Sequence, residues 1–339
     1  KKITVIFNLC FLAIILFLSK KYISLPTIGI IHKHALKIGN KSLRLNKQEY
    51  VSIPSSFLAF LVGLIDGDGY IQVTKTSKGF ITIKLVISLH LEDISTLEYI
   101  RSGLKIGKIN VYKDLKSPTC KLVINKTDLQ EILFPLLIYH NIFFLTVTRK
   151  DQFNLAMYIM KNDIKLFNQI QNINNIPAVF ELPKNALDYT LLPFFRNWIV
   201  GFTCSEGSFF IQSNKEGCFQ LKQRIHTNLF EAFKLIFDTN RKIDRTSPSR
   251  PRPSDLVLGR RAEGMFIIPL SPTGERGRRT NNFNQFSVSS KSDIQKVINF
   301  FSISDLHSLV GLKYIQYVKW LNNLRASPRY SKLNYPDLS

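Results

Sequence analysis

The chain has 339 residues, a length that suggests two domains, and its 45% hydrophobic content excludes a wholly disordered protein. Lys and Arg number 46 against 24 Asp and Glu, so a net charge of +22 indicates a polyanionic partner, either nucleic acid or an anionic membrane surface. The four cysteines are scattered without a CxxC pair or a Cys/His cluster, which excludes a zinc finger and argues against a disulfide framework.

Residues 1–50 are predicted to be an apolar and basic leader or the remnant of an upstream fusion. Two lysines precede an apolar run over residues 3–19, close to the minimum of about 17 residues that crosses a bilayer. The same layout fits a secretory signal, although no small-x-small cleavage site is obvious. The first compact domain is expected to begin near Val51.

Two similar segments organise the rest of the chain. LVGLIDGDGYIQV (residues 61–73) and IVGFTCSEGSFFI (residues 199–211) both have two apolar residues and a glycine, then an acid followed by glycine and a β-like run. The acids are Asp68 and Glu206, which lie 138 residues apart. A repeat of that length indicates a duplicated domain rather than a solenoid.

The elements predicted after the first segment are an interrupted pair of strands, a helix, two more strands and two closing helices. The break in the first hairpin is expected at residues 77–79, and the other elements at 92–101, 105–113, 120–126, 127–137 and 149–160.

The second segment is followed by the same predicted series. Its hairpin is expected to turn at residues 214–217, and its other elements to cover 229–237, 241–244, 284–290, 292–300 and 312–324. The fold class is therefore α+β, with two pseudo-symmetric αββαββα halves. We place the first domain at 51–163, a polar linker at 164–190 and the second domain at 191–336. A Pro-, Gly- and Ser-rich stretch at 246–280 is predicted to be a disordered insertion.

The segment that precedes each acid is predicted to be a helix. Gly63 and Gly67, like Gly201 and Ser205, are four residues apart, so each pair lies on one helical face and lets a second backbone approach closely. Two such helices can pack together as a pseudo-twofold interface that brings their C-terminal ends together. In the first helix, Pro54-Ser55-Ser56 is expected to supply the N-cap. Gly69 and Gly207 are expected to take the left-handed conformation that ends a helix.

The two acids at these helix ends suggest a metal site. Carboxylates that are forced together repel unless a proton or a cation intervenes, and oxygen ligands favour Mg²⁺. Mg²⁺ between carboxylates and phosphate oxygens is typical of phosphodiester hydrolysis. The alternative is that Asp68 and Glu206 only end their helices and bind solvent. The six histidines form no metal-spaced set, and no glycine-rich nucleotide-binding motif occurs.

LVGLIDGDG (residues 61–69) resembles the LAGLIDADG motif, from which it differs only at its second and seventh letters, and IVGFTCSEG (residues 199–207) resembles a degenerate second copy. The similarity to LAGLIDADG homing endonucleases covers about Val51 to Pro336. It implies a saddle in which two antiparallel sheets cup double-stranded DNA, with Asp68 and Glu206 as the metal-binding acids. It further implies a monomer of the kind encoded by fungal mitochondrial introns, hence a mitochondrial location, and some members act as RNA maturases.

The resemblance also implies accessory active-site residues. LVGLKYIQY matches the family's late segment and makes Lys313 the candidate active-site lysine, while the first half has Arg149 there, beside Lys150. Gln223 matches a strand glutamine that holds water in the family, and Leu85 is taken as its first-half counterpart. Cys204 replaces the first acid of the motif, whose equivalent, Asp66, is interpreted as helix-end structure rather than a ligand.

Exposed strand positions are expected to carry the DNA-binding residues, because polar and cationic side chains can bond base edges or phosphates. The alternative for each is an ordinary solvated strand face. The candidates are Gln72, Thr74, Lys75, Lys84, Lys108 and Lys113 in the first half, and Gln212, Asn214, Lys215, Lys222 and Arg224 in the second.

Three functions are compatible with these patterns. The first is a site-specific, Mg²⁺-dependent DNA endonuclease that promotes intron homing, and the second is an RNA maturase that binds its host intron on the same scaffold. The third is a membrane-tethered basic adaptor, which rests on residues 3–19 and the net charge alone. The paired acids favour the endonuclease, which needs no protein partner.

Overall fold

The computed structural model describes residues 44–113, 116–170, 173, 175–224, 226–246 and 283–337. The apolar run at residues 3–19 and residues 247–280 of the predicted insertion lie outside these ranges. In the part described, no helix is long and apolar enough to cross a membrane.

The first half follows the predicted αββαββα order, preceded by a short helix and followed by a further one. Helix α4 spans residues 126–139 and contains a π-helical stretch, Leu129–Leu133. The other elements are α1 (Lys47–Val51), α2 (Ser55–Asp68), β1 (Gly69–Lys75), β2 (Ile81–His90), α3 (Ile94–Leu104), β3 (Lys108–Tyr112), β4 (Thr119–Asn125) and α5 (Val147–Lys161).

The second half repeats the order after a connecting segment that carries a 3-10 turn (Phe167–Ile170) and α6 (Ala186–Thr190). This segment, predicted as a plain linker, packs on the first half, where the Phe167 amide donates to the Gly79 carbonyl (2.9 Å). The later elements are α7 (Phe195–Glu206), β5 (Gly207–Ile211), β6 (Gly217–Arg224), α8 (Thr227–Ile236), β7 (Asp244–Thr246), β8 (Phe283–Val288), α9 (Lys291–Phe301) and α10 (Gly311–Ala326).

Each half contains a four-stranded antiparallel sheet, with the orders β1-β2-β4-β3 and β5-β6-β8-β7. Apolar and polar residues alternate along the strands, and because successive side chains point to opposite faces of a sheet, the apolar residues lie on one face. Ile83, Leu85 and Ile87 of β2 are buried, whereas Lys84 between them is exposed. The apolar faces join the helices in one hydrophobic core, and the α+β prediction is confirmed.

Helices α2 and α7 cross where their small residues lie. A Cβ on Gly63 would stand 2.8 Å from the Phe202 amide nitrogen, and one on Gly201 would stand 2.9 Å from the Leu64 amide nitrogen. A Cβ on Gly67 would instead overlap the side chain of Ser205. The two backbones are therefore in direct contact, which only residues without a side chain permit at the crossing.

The helix ends differ from prediction in two respects. Pro54 occupies the N-cap of α2 without a side-chain cap, and Ser55 is already helical, so the predicted serine cap was wrong. Gly69 (φ −97°, ψ 170°) and Gly207 (φ −89°, ψ 156°) are extended, so the predicted left-handed conformation was also wrong. Both glycines instead serve a close approach: a Cβ on Gly69 would lie 2.7 Å from Ile65 Cγ2.

Replacing Gly201 with Ala is expected to destabilise the protein by about 1–3 kcal/mol, because the added methyl group overlaps the Phe60 carbonyl across the helix crossing. An exposed glycine in a helix interior would show the opposite sign, since alanine is the better helix former by about 1 kcal/mol. Urea denaturation measures the difference, with exposed Ser95→Ala in α3 as the control. A Gly201→Ala protein as stable as the wild type would contradict the packing.

Candidate active site

Asp68 and Glu206 are the last residues of α2 and α7. Because the two helices cross at Gly63 and Gly201, their C-terminal ends lie side by side, and the charge on Asp68 raises the pKa of Glu206. Both side chains remain partly exposed, so a ligand can reach them. The structure thus brings the two predicted acids together.

The environment of both acids favours their neutral forms. Burial raises the pKa of Asp68 to about 6, although Lys313 acts in the opposite direction. Burial, together with the neighbouring Asp68, raises the pKa of Glu206 to about 8, against the lowering effects of Arg149 and Gln223. Two negative charges at this point are therefore insufficiently compensated by the protein alone.

This donor set fits a divalent cation that prefers oxygen ligands. Two adjacent carboxylates of raised pKa lie at helix C-termini, where the partial negative charge of the backbone carbonyls also favours a cation. Within the described ranges, no group of three or more His, Cys, Asp or Glu is placed to hold a metal. The protein would therefore contribute Asp68 and Glu206, leaving further coordination positions to water and phosphate.

Two cations flank the acids at matching places in the halves. Arg149 is the third residue of α5 and Lys313 the third residue of α10. Arg149 Nε donates to the Ile65 carbonyl (3.2 Å), and Lys313 Nζ donates to the Gly207 carbonyl. Burial lowers the pKa of each cation, while the acids act to raise it.

Gln223 contacts only one of the acids: its Nε2 donates to Glu206 Oε1 at 2.9 Å. The strand pairing shows that Leu85, predicted as the first-half counterpart of Gln223, is the wrong residue. Gly69 pairs with Ile87, and Gly207 pairs with Leu221, because the second hairpin is four residues shorter than the first. The first-half equivalent of Gln223 is therefore the apolar Leu89, whereas Leu85 is the equivalent of Phe219. The surroundings of the two acids consequently differ.

Asp66 belongs to the packing between the halves. Its buried carboxylate accepts hydrogen bonds from the Leu145 amide (2.8 Å), the Thr146 amide (3.2 Å) and Trp198 Nε1 (2.8 Å) of α7. Burial raises its pKa to about 6 despite these donors. Asp66 is thus engaged in hydrogen bonds within the protein, as expected of a structural residue.

The predicted DNA-binding residues fall into three groups. The members on the solvent-facing side of the sheets, opposite the core, are Gln72, Thr74, Lys84, Lys108, Lys222 and Arg224. Lys75 ends β1 on the alternation that carries Ile71, and Lys113 follows β3. Gln212, Asn214 and Lys215 belong to the connection between β5 and β6.

Sequence reasoning missed several residues of the same face. Lys121 Nζ lies 5.3 Å from the ring centre of Tyr112, and Lys222 and Arg224 both lie over the ring of Phe283, at 4.8 and 4.9 Å. These aromatic rings hold cations at defined places on the face. Strand alternation is the signal that finds them, once the register of β3, β4 and β8 is known.

Residues 61–146 match the family model described as LAGLIDADG endonuclease. This stretch of the chain is therefore similar to LAGLIDADG endonucleases. The matched residues begin inside α2, contain Asp68 and end just before α5, so they cover most of the first half.

The curated proteins that this chain resembles include two yeast sequences. One is described as a probable intron-encoded endonuclease aI3 of Kluyveromyces lactis, 23% identical over 295 residues, which cover 76% of this chain and 63% of the relative. The other carries the same description in Debaryomyces hansenii and is 23% identical over 239 residues, covering 61% and 33%. The chain thus spans only 63% and 33% of the relatives' lengths.

Solved LAGLIDADG structures share the fold. The meganuclease I-SmaMI bound to uncleavable DNA superposes with a TM-score of 0.54 at 17% identity, covering 82% of this chain and 93% of that one. The I-LtrWI LAGLIDADG homing endonuclease bound to target DNA gives 0.53 at 16% identity, covering 80% and 90%. I-SmaMI was also solved on uncleaved target DNA in the presence of calcium, with a TM-score of 0.52.

Proposed function

We propose that this chain is a site-specific endonuclease that hydrolyses phosphodiester bonds in double-stranded DNA with a divalent cation, Mg²⁺. The observation that carries the proposal is the pair of acids, Asp68 and Glu206, at the touching ends of α2 and α7. The basic chain, the open faces of the two sheets and the LAGLIDADG domain support the same function.

The residues of the site have separate roles in this reaction. When bound, Mg²⁺ would supply charge stabilisation for the phosphate and the leaving 3′ oxygen. Asp68 and Glu206 hold the cation. Gln223 orients the Glu206 carboxylate through the 2.9 Å hydrogen bond. Lys313 and Arg149 place positive charge beside the acids, where the phosphate would enter.

The sheet faces would position the DNA over these acids. Cationic and amide side chains on the face can bond phosphates and base edges, the first giving affinity and the second giving sequence selection. Lys84, Lys108, Lys222 and Arg224 are the cations already predicted for this face, and Lys121 joins them.

The biological setting that fits this activity is intron homing by a mitochondrial, monomeric enzyme. The relatives described as intron-encoded endonucleases support it, because an endonuclease that cuts an intronless site lets its own intron be copied there. The maturase alternative is not favoured, since both yeast relatives are described as endonucleases.

The direct test incubates the purified full chain with a plasmid library that carries a randomised insert, with Mg²⁺ or with EDTA. We expect double-strand breaks at one family of related sequences, in the Mg²⁺ reactions only. Sequencing of the cut ends gives the target site. Equal cutting with EDTA would refute the metal-dependent mechanism, and no cutting of any library member would refute the proposed function.

Gln223 provides a test of the asymmetry between the acids. Replacing it with Leu gives Glu206 the apolar neighbour that Leu89 represents in the first half, and we expect cleavage of one DNA strand to slow about tenfold. Nicked plasmid should then accumulate before linear plasmid. Gln130→Leu, at an exposed position of α4 away from the strands, is the control. Equal slowing of both strands would contradict a role confined to Glu206.

A further inference from the structure

Asp93 of the first half is hydrogen-bonded to the start of α10, the helix that carries Lys313. Asp93 lies at the end of a 3-10 turn (Leu91–Asp93) before α3. Its Oδ1 accepts a hydrogen bond from the Leu312 amide of α10 (2.9 Å) and one from Thr96 Oγ1 (2.8 Å). Asp93 is therefore bonded to the residue immediately before Lys313, although the two are more than 200 positions apart in the chain.

This bond supplies what the helix lacks locally. The first amides of a helix have no partner inside the helix, and the N-cap of α10, Val310, offers no side chain that accepts a hydrogen bond. A carboxylate is the favoured group at this end, because it also meets the positive end of the helix dipole. Asp93 thus caps α10 from the other half of the molecule.

Gly311 makes the contact close. Its φ of +56° is in the left-handed region, and a Cβ there would overlap both Asp93 Oδ1 and Thr96 Oγ1. The start of α10 is therefore seated directly against the Asp93–Thr96 pair. Two residues further on, Lys313 extends to the Gly207 carbonyl beside Glu206, so its position follows from the position of this turn.

No equivalent contact is seen between the described residues of the second half and the start of α5, the helix that carries Arg149. At the start of α8, the stretch that corresponds to Asp93 is His226-Thr227, which contains no carboxylate. The residue of α5 that corresponds to Gly311 is Val147, whose side chain is bulky. Within the described part of the chain, a carboxylate from the other half therefore caps only the Lys313 side of the site.

We propose that Asp93 is a positioning residue that fixes α10 and with it Lys313, so that the first half controls part of the cleavage centre of the second. The inference rests on the proposed endonuclease function for its catalytic consequence, whereas the link between Asp93 and α10 can be measured without DNA.

The catalytic test measures single-turnover cleavage of the target recovered from the randomised library, together with its Kd. Asp93→Ala should slow cleavage about 10- to 100-fold with the Kd changed by less than about twofold, because a small misplacement of an active-site group has effects of that size. Asp93→Asn retains an oxygen acceptor for the Leu312 amide and should recover most of the rate. In a Lys313→Ala background, Asp93→Ala should add little, since both changes remove the same group's effect. Independent, multiplying effects would overturn the proposal.

The structural test uses amide hydrogen exchange in the free protein. Asp93→Ala should speed exchange across residues 311–314 at least about tenfold, and Thr227→Ala, the matched control in the second half, should leave these amides unchanged. Unaltered exchange in Asp93→Ala would overturn the positioning role even if the protein cuts DNA. Faster exchange in Asp93→Ala, with a wild-type protein that cuts no library member, would support the link and refute only the proposed nuclease function.

Discussion

Replacing Asp68 with Asn, or Glu206 with Gln, is expected to reduce DNA cleavage by about 10³-fold or more, because either change removes one of the two carboxylates proposed to hold the cation. DNA binding should persist, since the proposed phosphate and base contacts lie on the sheet faces rather than at the acids. Cleavage of the library-derived target measures the first effect, and a gel-shift Kd at fixed salt measures the second.

The matched control for these substitutions is Asp163→Asn, which removes an exposed carboxylate paired with Lys165 at the end of the first half. It should cut DNA at the wild-type rate. If the Asp68 and Glu206 variants cut as fast as Asp163→Asn, the assignment of the two acids is wrong. If they lose binding together with cleavage, the loss is one of folding or docking rather than chemistry.

The stability of the metal-free protein should fall as the pH rises from about 4.5 to 8. Glu206 has a pKa of about 8 in the folded protein, against an ordinary value of 4.5, so the folded state holds a proton that the unfolded state has lost. Stability from this group is therefore complete below pH 4.5 and is lost as the pH passes through 8. The difference is on the order of 3 kcal/mol, measurable by urea denaturation at pH 5 and pH 8.

Two comparisons isolate this effect from other titrating groups. Glu206→Gln, which keeps the side-chain shape without the charge, should lose most of the pH dependence. Calcium at pH 8 should stabilise the wild type and leave Glu206→Gln nearly unchanged, because a ligand stabilises only a state that binds it. A wild-type protein with the same pH profile as Glu206→Gln would contradict the close, desolvated pairing of the acids.

Sequence patterns were sufficient to predict the repeated fold and the proximity of Asp68 and Glu206. The alternation of residues after Gly69 and Gly207 predicted both hairpins, and glycines at four-residue spacing predicted the crossing of α2 and α7. These features are local or repeat twice in the chain, so each copy supports the other. The predicted conformation of Gly69 was wrong because a helix that runs into a strand and a helix that ends in a left-handed turn have the same sequence pattern.

Features that depend on long-range register were not predictable. Counting equal distances from the motif glycines gave Leu85 as the counterpart of Gln223, but the shorter second hairpin makes it Leu89. Asp93 gave no sequence signal as a cap, because the amide that it binds, that of Leu312, comes from the other half. Lys121 and Phe283 could be assigned to the solvent-facing side only once the strand pairing was known.

The central claim is that one divalent cation site is formed jointly by Asp68 and Glu206. A crystal of the protein with its target DNA and Mn²⁺, which scatters anomalously, tests it most directly. We expect an anomalous peak within coordination distance, about 2.0–2.6 Å, of carboxylate oxygens from both residues and of a DNA phosphate oxygen. Manganese bound elsewhere, with these two carboxylates facing away from the DNA, would contradict it.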